Sequence, residues 1–382
     1  MTGVLYFYIL LSNMYFATKS KSNQILTIVS LVFLFIVISG AGPFYSFPAD
    51  YHNYYSNYST VIERGLLSNN QVGYSFIMII GNLLGLPFDL FRLLVIAACL
   101  GLLYKNVINR YNVNTNYILG FYMIYAVIID SEQFRNWIAL TILLSGLRFL
   151  ESTRWKDRFK FIAVWIISIS FHYSFVLFAP LLLVNSNKHN KIIKRLVVFV
   201  MLFSLIIILN GNQIPFQGLI TSIGGGRIIE SYLTTQTNLG FLIPSIMHGT
   251  SIILAYIARK IIYTKNELRD LNVLPNDVRY EEVMSFTRER QLANVIYWIN
   301  ISMLMVFPFY IINVQFYRLM RSLLLLTYLI CGIASSHIVR RKNYWVFNMF
   351  VLGSAFIWLY LDLIHRISPT RLLIPFFLEN LL

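Results

Sequence analysis

Nearly all of the 382 residues fall into apolar stretches about one bilayer long, and the Lys and Arg residues cluster in the short segments between them. Such a chain cannot hide its apolar surface in one water-soluble core, since 57% of its residues are hydrophobic and only 12% are charged. Hydrocarbon offers no hydrogen-bonding partner, so each spanning segment must satisfy its own backbone. The runs lack the period-2 alternation of a membrane barrel. The sequence therefore predicts an all-α polytopic integral membrane protein, a single transmembrane domain with about 10–12 transmembrane helices including re-entrant or broken segments.

Expected spans lie at 3–18, 24–42, 88–104, 115–130, 135–151, 195–210, 241–262, 291–312, 318–338 and 343–361. The run from Val4 to Ala17 has no basic n-region and is followed by a second run after Lys19 and Lys21, which reads as a retained helix rather than a cleaved signal. Basic clusters fall at Lys19/Lys21, Lys105/Arg110, Arg154/Lys156/Arg158/Lys160, Lys188/Lys191/Lys194/Arg195, Arg259/Lys260/Lys265 and Arg340/Arg341/Lys342. The positive-inside rule puts all of them in the cytoplasm only under two conditions. The short run 73–86 must be a re-entrant or surface element, and 160–184 must be a broken pair turning near Phe171–Tyr173. The outward segments are then 43–72, with a surface helix, 131–134, 211–240, 313–317 and the chain after 361. Residues 263–290 mix both charge signs and read as a cytoplasmic linker with a short surface helix.

The formal net charge of +15 is spread over these loops rather than gathered in a basic domain, which argues for membrane orientation and anionic lipid rather than nucleic acid. Cys99 and Cys331 sit inside apolar runs without metal-ligand spacing and read as small buried residues. P-loop, dinucleotide-binding and nucleophile-elbow signatures are missing, so an enzyme of this kind would draw on an activated, lipid-linked donor rather than ATP.

The candidate chemistry gathers on the outward side. Tyr51, Tyr54, Tyr55 and Tyr58 fall at i, i+3, i+4 and i+7, one helical face that could stack on sugar rings or form an interfacial aromatic belt. Asp50 precedes the stripe as an acceptor-orienting carboxylate or an N-cap, and Glu63 beside Arg64 is a candidate base or a surface pair. Tyr74 follows in Gly73-Tyr74. Arg135 opens an apolar run, where a guanidinium needs either a polar cavity or a snorkelling route to the interface. His172 sits where the topology asks for a turn, as proton acceptor or buried structural histidine. Arg318 and Arg321 are three apart and share a helical face, forming a fork for pyrophosphate or a headgroup anchor. Arg227 follows three glycines, an anion nest or a loop; Arg366 and Arg371 are further basic candidates.

Several of these strings together resemble the EpsG-like family of bacterial polysaccharide polymerases, related in role to the Wzy polymerases. They are Asp50-Tyr51-His52-Asn53-Tyr54, Glu63 with Gly73-Tyr74, Phe134-Arg135-Asn136-Trp137-Ile138-Ala139, Phe171-His172-Tyr173-Ser174, and Tyr317-Arg318 with Arg321. Departures are Asn136 where Gln is frequent, no Arg in Ser39-Gly40-Ala41-Gly42-Pro43, and Phe376 in place of Tyr after Pro375. The resemblance implies a multi-pass glycosyltransferase of the bacterial inner membrane, acting at the periplasmic face. It would join oligosaccharide repeat units carried on undecaprenyl pyrophosphate into O-antigen, capsule or exopolysaccharide, with membrane lipid and a chain-length regulator as partners. In that scheme Arg135, Arg318, Arg321 and Arg227 bind pyrophosphate, and Tyr51, Tyr54, Tyr58 and Tyr74 bind sugar. Asp50, Glu63 and His172 serve catalysis, and no cofactor or metal is required. An O-antigen ligase-type transferase and a lipid-linked oligosaccharide flippase are the competing readings.

Overall fold

The computed structural model describes residues 2–19, 21–40, 49–66, 71–111, 113–185, 190–213, 240–271, 280–378 and 380, with backbone alone at 49–50, 265–271, 280–287 and 314. It is 85% helical, with no strand among the described residues. Among the described residues, six helices are long and apolar enough to cross a membrane: Phe88–Ile108, Lys191–Leu209, Leu242–Thr264, Arg288–Ile312, Tyr317–His337 and Arg341–Arg366. The other expected spans are helical but shorter or interrupted. The protein is thus an all-α, multi-pass membrane protein.

The chain forms two compact units, Met1–Val176 with Tyr328–Leu382, and Leu177–Thr327. The first begins with α1 (Thr2–Ala17), α2 (Gln24–Gly40), α3 (Ala49–Arg64), α4 (Val72–Leu83) and α5 (Phe88–Leu103). Then follow α6 (Thr115–Ile124), α7 (Ala126–Glu132), α8 (Phe134–Ser145), α9 (Leu147–Leu150) and α10 (Trp155–Phe171). The second unit holds α11 (Lys191–Leu209), α12 (Leu242–Leu271), α13 (Tyr280–Ser302), α14 (Phe307–Ile312) and α15 (Tyr317–Ser322). The chain then runs through α16 (Leu324–His337) into α17 (Arg341–Leu359) and α18 (Leu373–Leu378).

The short run after Gly73 is the twelve-residue α4. It ends in a Schellman turn: Gly85 takes φ +68°, its N–H donates to the Asn82 carbonyl, and the Leu86 N–H donates to Gly81. Pro87 then starts α5. The break expected near Phe171–Tyr173 falls at His172, whose backbone is extended at φ −153°, ψ 115°. A 3-10 helix, Tyr173–Leu183, follows. The Trp165 indole donates to the Phe175 carbonyl at 2.8 Å. Ten residues of straight helix would separate those positions by about 15 Å, so the chain turns back on itself here.

Polar side chains inside the first unit are spent on joining helices. Asn13 of α1 donates to Ser30 of α2 at 2.7 Å and accepts from Asn116 of α6 at 2.9 Å. Thr27 and Thr115 meet at 2.6 Å. Asp362, fully buried in the π-helical turn Tyr360–Arg366, accepts from Tyr125 at 2.5 Å and from Arg366 at 2.8 Å. Arg366 is therefore an ion-pair residue of the scaffold. Cys99 and Cys331 are buried thiols.

In the second unit the Lys191–Leu209 span is only 22% buried while Arg288–Ile312 is 72% buried, so α11 offers an apolar face to lipid and α13 runs inside. Within residues 263–290, expected as a linker with a short surface helix, 272–279 lie outside the described residues and the flanking stretches are helical. Helix α12 runs on to Leu271 and α13 begins at Tyr280. The Lys, Glu and Arg residues that mark the segment as solvated are also strong helix formers, so the helices extend well past the apolar runs.

Asn13→Ala strips Ser30 and Asn116 of a partner at a buried three-helix junction. Unfolding of the purified protein should show a loss of about 1–3 kcal/mol, whereas Thr18→Ala at the exposed end of α1 should change little.

Candidate active site

Helix α3 is built from the Tyr51/Tyr54/Tyr55/Tyr58 stripe, and its packing decides what the stripe does. Tyr54 and Tyr58 are each 5% exposed, while Tyr55 is 54% exposed. The Tyr58 hydroxyl donates to the Leu86 carbonyl at 2.7 Å, and its ring lies 4.8 Å from Phe91. The stripe is thus divided, with Tyr54 and Tyr58 turned into the protein and Tyr55 turned out of it. Tyr58 pins α3 to the α4–α5 turn.

Tyr51 is half-buried and donates to Asp89 at 2.6 Å. Burial first, then the Asp89 carboxylate, raise the phenol well above its ordinary value, so it stays a donor at physiological pH. Arg92, one turn beyond Asp89 and 5% exposed, donates to the carbonyls of Ser39 at 2.9 Å and Ile38 at 3.0 Å. A cation at the last carbonyls of α2 answers both their missing hydrogen bonds and the negative end of the helix dipole. Its guanidinium also lies 5.5 Å from the Tyr51 ring and 5.9 Å from the Phe134 ring. Sequence reasoning passed over Arg92, although a charge inside the 88–104 apolar run was the available signal.

The centre of the first unit's site is an aromatic cluster from three helices. Tyr54, Tyr74 and Phe134 stand 6.0 to 6.4 Å apart, centroid to centroid. The Arg135 guanidinium sits over Tyr54 at 5.1 Å and near Tyr74 at 5.9 Å. Arg135 occupies the first turn of α8, directly after the backbone departs from helix at Gln133 (φ −90°, ψ 61°). Its Nε, the Tyr74 hydroxyl, the Ser75 hydroxyl, Gln71 Oε1 and both amide atoms of Asn136 are buried without a hydrogen-bond partner. Buried polar groups are satisfied as a rule, so six such atoms on two helix N-termini joined by the Arg135 contacts mark a polar site rather than a core.

His172 belongs to this neighbourhood. A Cβ on Gly73 would lie 2.2 Å from Ser170 Oγ and 3.0 Å from the Phe171 ring, so the end of α10 presses against the first turn of α4. The turn carries Tyr74, and the α10 end carries His172. His172 is half-buried, with Nδ1 2.7 Å from Ser174 Oγ. Asp50 lies in the first turn of α3, with its side chain outside the described residues. Glu63 is exposed on the same helix, nine residues beyond Tyr54 and so roughly 14 Å along the axis from the cluster. The structure separates it from Arg135.

Within the first unit the site has a defined end. Asn114 at the start of α6 donates to the carbonyls of Phe16 and Lys19, and α10 starts among Arg154, Lys156, Arg158 and Lys160. From there α6–α7 run to Glu132 and α10 runs to His172. Arg135 and His172 therefore lie away from these basic clusters.

Arg318 and Arg321 belong to the second unit, on the six-residue α15. They are not an equivalent fork. Arg321 is 1% exposed and donates to the Tyr317 hydroxyl at 2.9 Å, whereas Arg318 is half-buried. The same unit has a buried polar chain that sequence reasoning missed: His248 Nε2 lies 2.9 Å from the Asn300 carbonyl, and Ser251 donates to Asn300 Oδ1 at 2.8 Å and meets Thr327 at 2.7 Å. His248 lies within an expected span and was open to the argument applied to His172. Arg227 lies outside the described residues.

An all-helical membrane bundle with a guanidinium on tyrosine faces, set beside unspent polar atoms and a histidine at a helix break, has the makings of a site for a polar, anionic headgroup. The chain belongs to the EpsG family, whose model matches residues 26–378. That membership assigns a polysaccharide-polymerase-like role, and with it glycosyltransferase-like chemistry. The chain matches no curated protein and no solved structure.

Gly73→Ala should drive Ser170 and Phe171 away from α4 and cost about 1–3 kcal/mol of stability. Combining it with Ser170→Ala relieves the closest contact and should recover part of the loss in the same unfolding measurement.

Proposed function

We infer that the protein is a polymerase of lipid-linked glycan repeats, working at the outer face of a bacterial inner membrane on oligosaccharides carried by undecaprenyl pyrophosphate. One observation carries this reading: the Arg135 guanidinium, held on two tyrosine faces with its Nε unpartnered, at the end of the first unit away from the basic clusters. The positive-inside rule assigns those clusters to the cytoplasm, which turns the Arg135–His172 end outward.

The reaction joins an acceptor sugar hydroxyl to the anomeric carbon of the donor. The new bond is C–O; the bond that breaks joins the anomeric carbon to the pyrophosphate oxygen, which leaves with the electron pair. Arg135 holds that oxyanion as its charge grows, through charge-assisted hydrogen bonds in a site with little water. Within the second unit, Arg318 and Arg321 are a separate cationic pair suited to a phosphate, Arg318 being the more accessible of the two. His172 takes the proton. His172 Nδ1 lies 2.7 Å from Ser174 Oγ, a contact that orients the ring in either tautomer. Tyr54, Tyr74 and Asn136 line the acceptor side. Glu63 receives no role. A chain-length regulator is the expected protein partner.

The decisive assay incubates the protein in lipid with an undecaprenyl-pyrophosphate-linked repeat unit and separates products by length. A ladder of lipid-linked oligomers without added nucleotide is the expected result. Transfer of one unit to a different lipid, or movement of intact substrate between leaflets, would replace this reading with a ligase or a flippase. Arg135→Ala should lower the rate on the order of 100- to 1000-fold, with Arg135→Lys less affected. His172→Ala should lower it about 100- to 10,000-fold. Full activity in either alanine variant would remove that residue from the mechanism.

A further inference from the structure

At the basic end of the first unit, away from His172, α1 and α17 both pack on α6 and leave a groove between them. Its volume is about 240 Å³. The floor is α6, buried at every position, and the walls are Met14 and Ala17 of α1 with Trp345, Met349 and Leu352 of α17. Polar atoms in the groove are spoken for: Tyr117 donates to Asn348 Oδ1 at 2.9 Å, and the Asn348 amide nitrogen donates to Ser335 at 3.0 Å and to the Tyr344 carbonyl at 2.9 Å. What the groove offers an occupant is apolar and aromatic surface. Trp345 is 46% exposed and Met349 58% exposed, so it opens sideways toward the lipid rather than into a closed core.

The groove's end is ringed by charge of one sign. Lys19 and Lys21 follow α1, Arg340, Arg341 and Lys342 precede and open α17, and all five are exposed. No Asp or Glu occurs in the segments that build the groove, 13–23, 113–121 and 335–353. Lys19 lies 4.5 Å over the Tyr15 ring, which keeps its ammonium at the level of the α1 terminus. Interfacial arginine and lysine beside a cleft between membrane helices recognise phosphate headgroups, and an apolar cleft below them takes the chain attached to that headgroup.

We propose that this groove is a binding site for an anionic phospholipid, with one acyl chain between α1 and α17 and the headgroup phosphate held by Lys19, Lys21, Arg340, Arg341 and Lys342. The occupant is a resident lipid of the basic leaflet. It is separate from the glycan-carrying lipid proposed above, whose headgroup site lies at the opposite end of the unit.

The test places the full-length protein in phosphatidylcholine vesicles doped with a phosphatidylglycerol that carries a photoactivatable diazirine in its acyl chain. Crosslinked positions are then mapped by mass spectrometry. Labelling concentrated at Met14, Trp345, Met349 and Leu352 is expected. Unlabelled phosphatidylglycerol should reduce it several-fold where equal phosphatidylcholine does not. Filling the groove with Leu352→Trp, or removing charge with the triple variant Arg340→Ala, Arg341→Ala and Lys342→Ala, should lower labelling several-fold. Labelling spread evenly over lipid-facing side chains such as Phe199 and Leu202, or competed equally well by phosphatidylcholine, would overturn the proposal. Those two outcomes are read on the unmodified protein and stand even if a variant does not fold.

Discussion

A backbone in hydrocarbon has to bond to itself, and every interruption of a helix leaves donors and acceptors that the surroundings must answer. This constraint arranges the rest of the protein. Three interruptions stand out: Gln133 at φ −90°, ψ 61°, His172 at φ −153°, ψ 115°, and Asn313 at φ −147°, ψ 120°. The first is followed within three residues by Arg135 and Asn136, the second is itself the candidate base, and the third precedes Tyr317, Arg318 and Arg321. Polar chemistry has collected where the helices were already broken. A broken helix both requires polar neighbours and supplies N-terminal N–H groups that favour anions.

Arg92 and Arg135 show how the same side chain is turned to two ends. Both guanidiniums lie on aromatic faces, an interaction worth about 0.5–2 kcal/mol. Arg92 spends its donors on the last carbonyls of α2 and is locked to the scaffold. Arg135 takes its support from Tyr54 and Tyr74, whose quadrupoles hold a cation without using up its N–H groups. Aromatic support thus positions a charge while leaving Nε without a hydrogen-bond partner, where a carboxylate would have neutralised it. The tyrosine stripe of α3 contributes to both arrangements: Tyr51 lies beside Arg92 and Tyr54 beneath Arg135.

Much of this was legible in the sequence because it depends on local pattern. Apolar run lengths gave the membrane class, and the count of basic clusters demanded a break where His172 provides one. Arg135 was visible as a guanidinium at the head of an apolar run. The inward turn of Tyr54 and Tyr58 was not, since it depends on contacts with Leu86, Phe91 and Phe134 that no local period reveals. Arg92 was hidden for a related reason: its partners are carbonyls more than fifty residues earlier. The Arg318/Arg321 fork illustrates the limit of periodicity. Spacing of three puts two side chains on one face, but the face is a strip, and burial along it changes from half-buried at Arg318 to 1% exposed at Arg321.

The difference between those two arginines bears on how a pyrophosphate would be met. Arg321 is buried, and its guanidinium donates to the Tyr317 hydroxyl at 2.9 Å. An arriving oxyanion gains most from such a residue, because little water has to be displaced and the attraction acts at low dielectric. Arg318, closer to solvent, is better suited to first contact, where charge acts over a distance and salt screens it. Unequal burial would therefore divide capture from charge stabilisation between two residues that the sequence presents as a matched pair.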